Sequence, residues 1–195
     1  MSPLSLLFFG IQGAGKGTQV QKLKDFLGQQ SDRPIIHVDV GAELRELRDT
    51  GSYTGKLTGA VLDAGRRMPD FMPIHLLTRR LVHSFTGEEH ILADGIARGN
   101  DQTRAFDDAM VFYGRIDYQI ISIELSEASV LERLRLRHRN DDTEEGIRNR
   151  LAWYKTDVLP QIELLRGRGR TIHSIDGEPD VETVHQSVLR ALKFV

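Results

Sequence analysis

The chemistry of this chain of 195 residues is concentrated first in Gly10-Ile11-Gln12-Gly13-Ala14-Gly15-Lys16-Gly17-Thr18-Gln19. An apolar run, residues 4–9, leads into it, and a helical pattern with Val20, Leu23, Phe26 and Leu27 on one face follows. Glycines in that setting let a backbone wrap closely around phosphate oxygens. The helix N-terminus adds unpaired N–H groups and a partial positive charge. Lys16 is long enough to reach the outer phosphates of a nucleotide. The general pattern puts Ser or Thr directly after the lysine; here Gly17 intervenes and Thr18 carries the hydroxyl. Such a loop implies a bound nucleotide and leaves the reaction open.

The elements that must hold this loop are legible. Apolar runs at 4–9, 34–38, 90–93, 118–123 and 171–175 read as five short strands. Helical patterns lie between them, at 17–27, 73–85, 143–165 and 181–192. Alternating strands and helices mean a parallel α/β sheet with helices on both faces. Arg133-Leu134-Arg135-Leu136-Arg137 alternates like a strand, but Val130, Leu131 and Leu134, with Ser126 or Ser129 as cap, favour a helix. Asp142 with Glu145 reads as the capping box of the 143–165 helix, and Pro160 predicts a kink or break within it. Gly41, Gly55 and Gly65 are candidate flexible points in a helical insert, and no internal repeat or low-complexity linker is visible.

Composition excludes several function classes. Lys plus Arg number 26 against 28 Asp plus Glu, a formal charge of −2, which argues against binding nucleic acid by bulk charge. Absence of cysteine rules out disulfides, thiolate zinc sites and cysteine nucleophiles. No apolar stretch approaches the roughly 18 residues of a membrane span, and residues 4–9 lack the basic flank of a signal peptide. The expectation is a cytoplasmic protein that meets neither membrane nor nucleic acid. His37, His75, His90 and His173 show no metal-ligand spacing.

The ending Gly15-Lys16-Gly17-Thr18-Gln19 resembles the adenylate kinase family of nucleoside monophosphate kinases. Gly41-Ala42-Glu43-Leu44-Arg45, Ala64 to Asp70, Asp94-Gly95-Ile96-Ala97-Arg98 with Gln102, the pair Arg133 and Arg137, and Arg139 to Glu145 with Arg150 match its motifs in the same order. The resemblance implies a P-loop NTPase fold with a five-stranded parallel core over 1–38, 69–137 and 143–195. It also implies a helical monophosphate-binding insert at 39–68 and a short lid at 138–142. The reaction implied is ATP + AMP ⇌ 2 ADP with Mg2+, by a single-domain monomer. A lid this short and free of cysteine is expected to hold no zinc.

Roles carried over by position are as follows. Gly13, Ala14, Gly15, Lys16, Gly17, Thr18, Arg133 and Arg137 would bind ATP. The AMP site would comprise Val40, Arg45, Arg66, Arg67, Met68, Gly95, Ile96, Ala97, Arg98, Gln102, Arg139 and Arg150. Lys16, Arg98, Arg137, Arg139 and Arg150 would serve transfer, and Thr18 and Asp94 would hold magnesium through water. Two facing phosphate tails need many cations, and arginine's planar fork suits them. Taken singly, each arginine within Arg133–Arg139 is also compatible with solvated helix surface.

Three departures from the family pattern stand out. Gln12 and Ala97 replace prolines, the second of which is expected to loosen the loop carrying Arg98. Val40 replaces a threonine that contacts the acceptor base, a loss of about 0.5–1.5 kcal/mol for one neutral hydrogen bond. Gln102 retains the amide that reads adenine, where pyrimidine-selective relatives usually have asparagine. A CMP/UMP kinase and a nucleotide-binding regulator without transfer activity are the alternatives.

Overall fold

A computed structural model describes residues 1–137 and 143–195, with the Arg137 side chain excepted. Five parallel strands, β1 (Ser5–Gly10), β2 (Ile35–Asp39), β3 (His90–Asp94), β4 (Gln119–Glu124) and β5 (Thr171–Asp176), form one sheet in the order β2-β3-β1-β4-β5. Each expected strand is present, displaced by at most about one residue. Along β1, Leu6 and Phe8 join the apolar cluster on one face, while Leu7 and Phe9 join the cluster on the other. The first cluster is closed by α1 (Lys16–Gln30), α6 (Glu127–Arg137) and α9 (Val181–Ala191) through Val20, Leu23, Val130, Leu134, Val184 and Val188. The second is closed by α4 (Phe71–Ser84), α5 (Asn100–Phe112) and α8 (Leu159–Gly167) through Leu77, Leu81, Phe106, Met110, Ile162 and Leu165. Period-two burial on both faces explains why β1 reads as an uninterrupted apolar run.

The ambiguous segment ending at Arg137 is helical. Its first turn is capped by Ser126, whose Oγ accepts from the Ser129 N–H at 3.2 Å. Val130 and Leu134, one turn apart, are buried, whereas Leu136, two residues on, is exposed, as a helix requires and a strand face would not.

Two helix-end expectations are corrected. Thr143 caps α7 (Glu144–Trp153): its Oγ1 accepts from Gly146 N–H at 3.0 Å, while the expected cap, Asp142, lies outside the described residues. A threonine at the N-cap reaches the N–H of the third helical residue as an aspartate there would. The break lies upstream of Pro160, in a π turn over Tyr154–Val158, and α8 restarts with the proline in its first turn. The missing proline N–H and its clash with the preceding turn cost least at a helix start.

Between β2 and α4 lie α2 (Val40–Asp49) and α3 (Tyr53–Asp63). Neither Gly55 nor Gly65 is a free hinge. A Cβ on Gly55 would come within 2.4 Å of the Leu47 carbonyl, so glycine there lets α3 lie close on α2. Gly65 has φ +61°, and a Cβ would meet the Gly146 carbonyl oxygen at 2.3 Å. It marks the docking of the α3–α4 turn on α7. Asn149 Nδ2 donates to Ala64 O and Trp153 Nε1 to Gly65 O, both at 2.9 Å.

Candidate active site

Three loops leave the carboxyl edge of the sheet, where ligands of open α/β sheets bind. The glycine-rich loop joins β1 to α1, with Gly13 at φ +90° and Gly15 at φ +87°. These left-handed angles let consecutive N–H groups turn toward one point. Lys16 folds back over the loop, its Nζ donating to Gly10 O at 2.8 Å and to Ile11 O at 3.2 Å. Asp39 ends β2 and caps α2, accepting from Ala42 N–H at 2.8 Å. Asp94 ends β3 directly beside it in register.

A cleft of about 740 Å³ runs from the loop to the insert. Gly13, Gly15, Lys16, Gly17, Thr18 and Arg133 line one end; Val40, Arg45, Arg66, Arg67, Met68 and Gln102 line the other. Asp94, Gly95, Arg98, Arg150 and Trp153 also line it. Ala14 and Ala97 are buried and do not line the cleft, and Ile96 faces an adjoining recess behind Lys16. Arg139, the lid at 138–142 with Asp142, and the Arg137 side chain lie outside the described residues.

Electrostatics separate the charged groups into held and facing sets. Burial lowers the pKa of Arg98 from its ordinary value, while the carboxylates of Asp94 and Asp39 oppose that shift. Its guanidinium stacks 5.4 Å from the Trp153 ring centre, a cation–π contact that fixes its plane. Trp153 is the chain's single tryptophan and lies three residues beyond Arg150, on the same helical face, which is the signal that could have flagged it. Tyr154 nearby is pushed up to about 12, by burial first and the Glu124 charge next, so it stays neutral. Arg133 Nη2 donates to Gly177 O at 2.8 Å and Glu178 O at 3.1 Å, which anchors it to the β5–α9 loop while it lines the cleft.

Ala97 takes φ +60°, an angle proline cannot adopt. Ala97 itself is fully buried at that angle. Asp94 Oδ1 is buried with no hydrogen-bond partner among the described residues. An orphaned carboxylate oxygen beside the phosphate loop, with the exposed Thr18 hydroxyl at the loop's end, fits a hydrated divalent cation. No group of three or more His, Asp or Glu among the described residues is arranged to hold a metal directly.

A glycine-rich loop of this kind at the edge of a parallel sheet is the mark of P-loop nucleotide-binding proteins, and Arg45, Arg98 and Arg150 line the same cleft. The family model for adenylate kinase matches residues 8–170. Adenylate kinase 1 of Synechocystis is 31% identical over 96% of both chains. The adenylate kinase of Corynebacterium urealyticum is 32% identical over 97% of this chain and 99% of its own. That of Stenotrophomonas maltophilia is 30% identical over 97% and 100%. The chain belongs to the adenylate kinase family, and its reaction is ATP:AMP phosphotransfer.

Proposed function

We propose that the cleft carries out this transfer with its two ends as two nucleotide sites. ATP phosphates lie on the Gly13–Thr18 loop under Lys16, with Arg133 beside the donor base or phosphates. The AMP phosphate is gripped by Arg45 and Arg98, and its base enters between Val40, Met68 and Gln102. Arg150, joined by Arg137 and Arg139, neutralises the group in flight. Mg2+ bound with ATP, held through water by Thr18 and Asp94, supplies further neutralisation of phosphate charge.

The observation that carries this reading is that Arg45 and Arg98 line the same continuous cleft as the phosphate loop. A single-nucleotide binder has no use for a second anion grip. Phosphoryl transfer asks the protein for little besides such alignment and charge. Insert 39–68 and lid 138–142 close over the nucleotides and keep water from the transferring group. The molecule acts as a cytoplasmic monomer; no helix among the described residues is long and apolar enough to cross a membrane.

A coupled assay with AMP, CMP, UMP and GMP tests the acceptor, and CMP or UMP outrunning AMP would overturn it. Lys16→Met and Arg98→Ala each lower kcat by at least ~100-fold through loss of preorganised charge. Near wild-type turnover in either would remove that residue from its role.

A further inference from the structure

Asp70 stands at the N-terminal boundary of α4, where a carboxylate ordinarily accepts from the free N–H groups of the first turn. It makes no such bond. Its Oδ1 accepts instead from Gln102 Nε2 at 2.6 Å and from Arg67. Arg67 continues to Asp157 in the π turn, Nε to Oδ2 3.0 Å. Room for that guanidinium depends on Gly99, where a Cβ would fall 2.5 Å from Arg67 Nη1. The other end of the Gln102 amide is held as well: Oε1 accepts from the Arg98 N–H at 3.1 Å.

An amide rotated by half a turn has nearly the same shape but exchanged polarity. Here rotation is forbidden twice. It would set Oε1 against the Asp70 carboxylate and the NH2 against a backbone N–H, leaving two buried repulsive contacts. Gln102 is fully buried and lines the acceptor end of the cleft. A 6-aminopurine presents a donor at C6 and an acceptor at N1; a 6-oxopurine presents the reverse. An amide that cannot turn complements only one of them. We propose that Asp70 is a positioning residue for base specificity: by holding the Gln102 amide one way round, it makes the acceptor site select a 6-aminopurine monophosphate against a 6-oxopurine one. This rests on Gln102 as the base contact.

The test compares kcat/KM for AMP and for IMP, which differ at this edge alone, in the wild-type enzyme and in Asp70→Ala, Asp70→Asn and Gln102→Ala. Because the AMP/IMP ratio is taken on one preparation, partial loss of folded protein does not move it. Asp70→Ala is expected to lower the ratio by roughly tenfold or more, chiefly by raising kcat/KM for IMP, since freeing the amide removes the penalty on the wrong edge. Asp70→Asn, whose side-chain oxygen still accepts, is expected to keep the ratio within about threefold. An unchanged ratio in Asp70→Ala, with Gln102→Ala lowering it, overturns the role of Asp70 and leaves Gln102 as the base contact. An Asp70→Asn ratio as low as that of Asp70→Ala overturns the hydrogen-bond account. An unchanged ratio in Gln102→Ala overturns the base contact itself.

Discussion

Single side chains in this protein gain their properties from where the backbone puts them. His90 opens β3 and is fully buried; its Nδ1 accepts from the Leu4 N–H at 3.0 Å. Only the neutral ring with its proton on Nε2 can accept there. Burial first, then the Arg33 and Arg115 charges, lowers its pKa below the ordinary 6.5. His37, His173 and His185 are also lowered, each chiefly by burial. In every case the unfolded chain binds the proton more readily than the folded one. The stability these groups lend is therefore complete above about pH 6.5 and is lost as pH falls through the folded values. Urea unfolding at pH 7.5 and 5.5 is expected to show that loss. His90→Asn, which retains an acceptor for Leu4, is expected to flatten the slope; an identical slope would place the acid sensitivity elsewhere. None of this was visible in the sequence, where the histidines have no spacing that marks them.

At the scale of elements, helix ends and breaks do the positioning. The π turn at Tyr154–Val158 re-aims the chain between α7 and α8 so that Asp157 reaches Arg67 and Tyr154 faces Arg98. Pro160 announced that a break was coming, but its place depends on which turn can relax against the sheet. Docking of the α3–α4 turn on α7 likewise needs Gly65 and Gly146 in near contact. Gly65→Ala is expected to destabilise the fold by at least about 1–3 kcal/mol, because the added methyl overpacks a backbone contact at a left-handed angle. The urea midpoint measures it, and an unchanged midpoint would mean the turn is not docked as described. Gly65 stood out beforehand only as a loop glycine; that it faces another glycine 81 positions along is a tertiary fact.

For the whole molecule, one cleft at the sheet edge is lined both by the glycine-rich loop with Lys16 and by the cations Arg45, Arg98 and Arg150. Trp153 ties Arg98 to the α3–α4 turn, stacking on the guanidinium while donating to Gly65 O. A ligand filling both ends should stabilise more than either nucleotide alone, since it binds only when both are assembled. Two adenosines joined by five phosphates are expected to raise Tm above the values with saturating ATP or AMP. Because Trp153 is the single tryptophan, its emission is expected to shift with the same ligand. An effect no larger than that of ATP alone would leave the second site without support.

Sequence alone determined the sheet, the phosphate loop and the candidate cations, because strand burial and loop chemistry are local patterns: apolar runs, glycine spacing, Lys16 and Thr18 at fixed offsets. It equally pointed to Arg45, Arg98 and Gln102 as matches to family motifs. Only the folded chain decided that Thr143 caps α7, that Ala97 takes a left-handed turn, and that Asp70 abandons its helix to hold an amide 32 residues away. Those choices rest on which groups meet when the chain packs, and buried polar groups must find partners that no local pattern names.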